Sequence, residues 1–284
     1  MKFSLVTSTI GRTVELEKLM ESLVGQTYKD FELFIIDQNS DDRIKPIIDK
    51  FSALLSIRHL RSGKGLSRGR NIGLDMIDGE IVCFPDDDCE YTERLLEQVH
   101  LFFEEQPDYS FISTKVVDRT TGKGVGIRWK DNGVRIGYLN MFDTFSSVSI
   151  FIRTKAIGKI RFDEKFGAGA TFGSSEETDF IYQLIKKKEK GYYEPALKVI
   201  HPDFQTQDID LLKKRTYNYA LGFGAFFKKQ LLCNFSLMMF LNAVKYLILS
   251  PIIGFLMRLG NKKEIVLKII AVKGMWAGFF RYKG

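Results

Sequence analysis

Residues 80–91 read EIVCFPDDDCEY: an apolar run from Glu80 to Phe84, a proline, and then three carboxylates in a row, Asp86, Asp87 and Asp88. A short apolar run between Asp78-Gly79 and Pro85 predicts a buried strand. The pattern recurs upstream. Phe3 to Thr7 runs into the turn Thr9-Ile10-Gly11-Arg12, Phe31 to Asp37 (FELFIID) ends in Gln38-Asn39-Ser40-Asp41-Asp42, and Ser56 to Leu60 is a third run. Between these, Leu16, Leu19, Met20 and Leu23, then Ile44, Ile47, Ile48 and Phe51, recur at helical spacing. Gly63, Gly65 and Gly69 open a helix from about Ser67 to Ile77, and Thr92 to Glu105 is helical again. Strand and helix alternating at this spacing predict a parallel, doubly wound α/β sheet. Ligands in such sheets gather beyond the carboxyl ends of the strands, where Thr9, Asp37 and Asp86 fall.

After Asp108 the pattern changes. Tyr109 to Val117 and Ser147 to Arg153 read as strands, Glu176 to Lys187 as a helix, and Leu197 to His201 as a last short strand. Beyond Pro202, three helices are expected over Ile209 to Lys229, Phe235 to Met257 and Glu264 to Phe280. Neither an internal repeat nor a low-complexity linker is evident.

The chain has 284 residues, 45% hydrophobic and 27% charged, which suits a globular α/β domain with an appendage and excludes disorder. Cys83, Cys89 and Cys233 are too few and too scattered for a disulfide framework, so a reducing compartment is expected. The opening Met1-Lys2-Phe3 reaches Gly11-Arg12 without a signal-peptide core, which predicts a cytoplasmic location. The net charge of +7 is uneven: residues 202–284 carry 13 Lys and Arg against 4 Asp and Glu. A basic tail on a slightly acidic body suggests an anionic surface as partner.

Adjacent carboxylates repel one another, so a fold that gathers Asp86, Asp87 and Asp88 usually neutralises them with a cation. Oxygen ligands suit Mg²⁺ or Mn²⁺, which can bridge a diphosphate. The competing reading is a solvated acidic turn that caps the next helix. A second acidic cluster, Ser174-Ser175-Glu176-Glu177-Thr178-Asp179, opens a helix. Acids favour that end of the dipole, so capping by itself accounts for them, and the competing functional reading is a general base for an acceptor hydroxyl. His201 closes the apolar run Leu197 to Ile200, as a packing residue or as a ligand. Gly65-Leu66-Ser67-Arg68-Gly69-Arg70-Asn71 combines glycines, guanidiniums and a helix start, a combination able to hold phosphate.

In this order the pieces resemble the family 2 glycosyltransferases, which have the GT-A fold, a Rossmann-like and mostly parallel sheet flanked by helices. The resemblance runs from Phe3 to about Asp203. It rests on SLVTSTIGR, on Gln26-Thr27 ahead of Phe31-Glu32-Leu33, and on FIIDQNSDD and GLSRGRN. It continues through Asp78-Gly79-Glu80 into FPDDDCEY, then FDEKFGAG, GSSEETDF and YYEPALKVIHPD. The implied domains are 1–203, with a nucleotide-binding half (1–108) and an acceptor-binding half (109–203), and a helical extension over 204–284. The implied nucleotide-sugar site takes Thr9, Arg12, Asp37, Gln38, Arg70, Asp86 and Asp87. The implied Mg²⁺ or Mn²⁺ site takes Asp88 and Asp86, the two acids of a DxD motif, with His201 as third ligand. Glu177, with Glu176 beside it, stands where the family has its catalytic base, and the family inverts the anomeric centre by single displacement.

The chain departs from the family pattern twice. Gln38 replaces a common second acid after Asp37, leaving UDP- and dTDP-sugar donors both open, and Glu177 replaces the usual Asp, leaving either Glu176 or Glu177 as the base. Acceptor contacts are expected from Lys115 to Phe151 and Phe162 to Ser175. Phe235 to Met257 is apolar but carries Asn242 and Lys245, against the roughly 20 clean residues of a span. With Lys228, Lys229, Arg258, Lys262 and Lys263 flanking it, peripheral attachment to the inner face of the plasma membrane is expected. There a lipid-linked saccharide acceptor would lie. The alternative is packing on the catalytic domain or on a second copy in a homodimer. The expected function is hexosyl transfer in bacterial surface polysaccharide or glycolipid assembly. Rival functions are a sugar nucleotidyltransferase and a non-catalytic nucleotide-sugar-binding subunit. Nucleic acid is not an expected partner, since the positive charge lies on apolar helices.

Overall fold

The computed structural model describes residues 1–204, 208–233, 235–256 and 261–284. The first elements are β1 (Phe3–Thr9), α1 (Val14–Val24), β2 (Phe31–Asp37), α2 (Lys45–Phe51), β3 (Ile57–Arg61), α3 (Leu66–Leu74) and β4 (Ile81–Cys83). After them come β5 (Glu90–Tyr91), α4 (Leu95–Glu105), β6 (Phe111–Val117), β7 (Val134–Ile136), β8 (Ile150–Arg153), α5 (Thr154–Ile157), α6 (Glu176–Lys186) and β9 (Gly191–Ile200). The chain ends in α7 (Ile209–Cys233), α8 (Leu237–Val244), α9 (Ser250–Leu256) and α10 (Lys262–Arg281).

The strands form one sheet in the order β3-β2-β1-β4-β8-β6-β9-β5, with β7 on β9. The first four are parallel, as the alternation predicts. β2 is buried along its whole length, the burial expected of a strand covered on both faces. Beyond β4 the sheet is mixed, because β8 runs antiparallel to both β4 and β6. β8 begins at Ile150 and not at Ser147; Ser147–Ser149 form a 3-10 turn, with the Ser149 hydroxyl 3.0 Å from the Ser146 amide nitrogen. β9 starts at Gly191, earlier than expected, and bulges around Pro195, where pairing shifts from Thr114↔Glu194 to Lys115↔Lys198. A proline offers no amide to a ladder, so its neighbourhood does not read as strand. Glu90 and Tyr91 pair with Ile200 and Val199, so α4 begins three residues after the expected Thr92.

The chain divides into two compact units, Met1–Phe162 with Phe180–Asp203, and Asp163–Asp179 with Phe204–Gly284. In the second unit α7 and α10 pack backbone to backbone: glycines 224, 274 and 278 leave no room for a Cβ against Met275, Tyr217 and Leu221. The expected helix over Phe235 to Met257 is α8 and α9 joined through a π-helical stretch, Lys245–Leu249; Met257 and Arg258 lie outside the described residues. Leu237–Leu256 is twenty residues long, and an 18-residue stretch within it has a mean hydropathy of 1.7 with 28% of its residues buried. By length and composition alone it could cross a membrane, even with Asn242 and Lys245 in it.

Candidate active site

The parallel register sets Thr9 beside Asp37 at the carboxyl ends of β1 and β2. Asp37 is fully buried, so its charge needs partners. One oxygen accepts from the amide and side chain of Asn39 (2.9 and 2.8 Å), and the other faces His59 Nε2 (3.0 Å) and Arg61 Nη1 (3.2 Å). His59 and Arg61 were not among the expected residues. Their signal was the i, i+2 spacing on β3, which puts both on one face beside β2. Gln38 accepts from the Gly65 amide (3.1 Å) and donates to its carbonyl (2.9 Å), tying the end of β2 to the start of α3. Gly65 has φ of +130°, a conformation open to glycine.

α3 carries Arg70, almost wholly buried, whose guanidinium lies over the rings of Phe84 and Phe162 and bonds Asp86 Oδ1 at 2.9 Å. Asn71, one residue on, clamps the backbone of Phe162 through two 2.9 Å hydrogen bonds. Directly after β4, the acids divide their partners. Asp87 is buried, accepts from the Thr9 hydroxyl (2.7 Å) and pairs with Arg12; burial raises its pKa in spite of these partners. Arg12 also reaches Asp88 Oδ2 at 2.7 Å. Burial works against its charge, but Asp87, Asp88 and Asp86 outweigh burial and raise its pKa.

The β5–β9 pairing brings His201 to Asp88, Nε2 to Oδ1 at 3.3 Å. Burial opposes charge on both groups, yet their mutual hydrogen bond outweighs it: the Asp88 pKa is lowered and the His201 pKa raised. His201 Nδ1 sits 2.8 Å from the Pro202 carbonyl, which can only accept, so Nδ1 carries a proton, and loss of the Nε2 proton that faces Asp88 would leave the Nε2 lone pair for a ligand bond. Asp86, Asp88 and His201 each offer a ligand atom within 4.8 Å of the others. Two carboxylates and an imidazole whose far nitrogen is held by a carbonyl form a donor set able to hold a divalent cation. The residues present therefore fit a divalent cation.

Glu176 and Glu177 open α6 in the second unit, after Ser175 at φ +72°. Glu176 is buried; Glu177 is more exposed and accepts from the Thr178 hydroxyl at 3.3 Å. Asp179, fully buried, accepts from Lys229 (2.9 Å) and Gln230 (2.6 Å) of α7, and Lys229 also binds Asp163 (2.7 Å). Lys229 is thus not one of the cations free to meet head groups, as expected from composition; two carboxylates hold it inside its own unit.

The sequence profile described as Glycosyl transferase family 2 matches residues 4–167, more than half of the chain. Among curated proteins, the chain is 34% identical over 102 residues to a GalNAc(5)-diNAcBac-PP-undecaprenol beta-1,3-glucosyltransferase of Campylobacter jejuni. That match covers 34% of this chain and 32% of the relative. It is also 34% identical over 109 residues to the poly(ribitol-phosphate) beta-N-acetylglucosaminyltransferase TarP of Staphylococcus aureus, covering 37% and 33% of the two chains. The matched segments thus span about a third of the length of these relatives. Among solved structures, the Pyrobaculum calidifontis mannosyltransferase PcManGT, in complex with GDP-Man and Mn²⁺, aligns with a TM-score of 0.72 at 10% identity, over 99% of this chain and 88% of that one. S. aureus TarS 1-349 in complex with UDP-GlcNAc aligns with a TM-score of 0.58 at 15% identity, over 99% and 91%. With its strand-end acids and this profile match, the chain belongs to glycosyl transferase family 2, a family of sugar-transferring enzymes, and carries the GT-A fold.

Proposed function

We propose that this chain is an inverting, metal-dependent glycosyltransferase that moves a sugar from a UDP- or dTDP-sugar to a hydroxyl of a saccharide or lipid-linked saccharide. The observation that carries this is the convergence of Asp86, Asp88 and His201 at the carboxyl edge of the parallel strands. Residues 1–108 would form the nucleotide half, 109–203 the acceptor half, and 204–284 a helical extension. Thr9, Arg12, Asp37, Arg70 and Asp87 would line the nucleotide-sugar pocket, with Gln38 shaping it through Gly65. Asp86, Asp88 and His201 would hold Mg²⁺ or Mn²⁺, which when bound supplies charge neutralisation for a leaving diphosphate. The structural neighbours are complexes with UDP-GlcNAc and with GDP-Man and Mn²⁺, which supports a nucleotide-sugar donor for this fold.

Glu177, the more exposed of the two glutamates, takes the proton of the acceptor hydroxyl. The acceptor oxygen then bonds to the anomeric carbon as the bond from that carbon to the phosphate oxygen breaks. The bonding pair leaves on the nucleoside diphosphate, and the configuration inverts. The undecaprenol-linked and poly(ribitol-phosphate) substrates in the relatives' names support a role in bacterial surface polysaccharide or glycolipid assembly. Location on the cytoplasmic face of the plasma membrane is supported by the exposed apolar run Leu237–Leu256. A cavity of about 360 Å³ beside it, lined by Ile252, Phe255, Ile269 and Val272 with Lys268 and Lys273, adds to that support.

The test is the product. Incubated with UDP-sugar and Mn²⁺, the protein should release UDP, and Glu177→Gln should slow release by about 10²–10⁴-fold, the usual contribution of a general base. Pyrophosphate release, or an unimpaired Glu177→Gln, would defeat the proposal.

A further inference from the structure

The first turn of α6 is held by α7 at four points. The Ser174 hydroxyl donates to the Tyr219 carbonyl at 2.8 Å. Gly222 lies so close to Ser174 that a Cβ there would sit 2.5 Å from the Ser174 carbonyl oxygen and 2.8 Å from its amide nitrogen. Lys229 Nζ and Gln230 Nε2, from adjacent residues, donate to different oxygens of Asp179. Ser175, between these contacts, takes a left-handed backbone conformation that a serine holds only when its surroundings impose it.

Asp179 and Lys229 form a buried ion pair. Burial raises the Asp179 pKa against the pull of Lys229, and the Lys229 pKa is raised because Asp179 and Asp163 outweigh its own burial. Asp163 makes the cluster two carboxylates to one ammonium, with the Gln230 amide donating into it. Such a buried group is an expensive way to add stability, since apolar side chains of similar volume often do as well. Its cost is better matched to fixing a direction. Successive helical residues turn by about 100°, so Glu177 points about 200° away from Asp179. Pinning Asp179 against α7 aims Glu177 away from it.

We propose that Lys229, with Gln230, is a positioning residue for the catalytic base: it anchors Asp179 and thereby sets the direction of the Glu177 carboxylate. This rests on Glu177 being the base. It gives the helical extension a part in the chemistry, because α7 both fixes this turn and packs against α10 and α8.

The experiment compares Lys229→Met, Lys229→Arg, Gln230→Leu and Glu177→Gln in full-length protein. Steady-state transfer, UDP affinity by calorimetry with Mn²⁺ and thermal unfolding are measured for each. Lys229→Met should lower kcat about tenfold or more while UDP affinity and donor KM stay within about twofold, and Lys229→Arg should restore most of the loss. Gln230→Leu, which leaves the charges untouched, should lower kcat about threefold or more and decides the matter where Lys229→Met fails to fold. A merely structural role would lower the melting temperature and leave kcat per folded enzyme unchanged. If Glu177→Gln is inactive and the folded Lys229 and Gln230 variants turn over as wild type, the positioning role is overturned and the base assignment stands. If Glu177→Gln is active, both fall.

Discussion

Gln38→Leu tests the join between β2 and α3. Gln38 is 8% exposed and makes two hydrogen bonds to Gly65, accepting from its amide and donating to its carbonyl. The substitution removes both. The Gly65 carbonyl keeps its helical bond from the Gly69 amide at 3.0 Å, whereas the Gly65 amide loses the partner that Gln38 supplies. At about 1 kcal/mol net per bond, and with Gly65 half-buried so that water softens the loss, the cost is about 1–2 kcal/mol. For a chain of this size that corresponds to a fall in melting temperature of roughly 3–6 °C. Gln38→Glu can still accept from the Gly65 amide but faces the carbonyl without a proton, so it should be destabilised too. Because α3 carries Arg70, both variants should also bind UDP more weakly. Scanning calorimetry and a UDP titration read the two effects. A melting temperature within about 1 °C of wild type, with UDP affinity reduced, would refute the clamp and make Gln38 a direct nucleotide contact.

Further outcomes follow from other packed groups. Gly73→Ala puts a Cβ about 2.9 Å from Val6 Cγ2 and 3.1 Å from Val6 Cβ, so α3 must shift off β1. Denaturant titration should show a loss of about 1–3 kcal/mol, and an unchanged midpoint would contradict the packing. The Lys229 pKa is raised on folding, so its contribution is complete below the ordinary lysine value of 10.5 and disappears as the pH climbs through the raised value. The stability difference between wild type and Lys229→Met should therefore hold steady from neutral pH to pH 10.5 and shrink above it, as read by unfolding at a series of alkaline pH values. Finally, the full chain should sediment with vesicles containing anionic lipid. Replacing Leu241, Ile248 and Ile252, each at least 44% exposed, with serine should abolish this. Equal sedimentation of both proteins would remove the membrane role from this face.

Much of residues 1–108 was legible because the signals there are local. Apolar-rich runs give β1, β2 and β4, and the polar residues that follow or end them, Thr9, Asp37 and Asp86, stand where the runs stop. What escaped depends on partners distant in sequence. Glu90 and Tyr91 form a strand too short to read, yet their pairing with β9 is what carries His201 to Asp88. Pro195 hid the first half of β9 because the ladder bulges around it. His59 and Arg61 sit on a strand whose charged residues look like a solvated face until the register sets them beside Asp37. Composition counted Lys229 as a cation available to head groups, whereas Asp163 and Asp179 bury it. Gln38 could be weighed from sequence only against a ligand, while its partner is a backbone twenty-seven residues away.

The central claim, a cation held by Asp86, Asp88 and His201 that binds together with the nucleotide diphosphate, is tested most directly by one calorimetric comparison. UDP is titrated into wild-type protein and into Asp88→Asn, each with Mn²⁺ and with EDTA. Coupling between two ligands is reciprocal, so wild-type protein should bind UDP about tenfold or more tightly with Mn²⁺, and Asp88→Asn should bind it equally weakly under both conditions. A wild-type affinity indifferent to Mn²⁺, or a full Mn²⁺ effect retained in Asp88→Asn, would contradict that site.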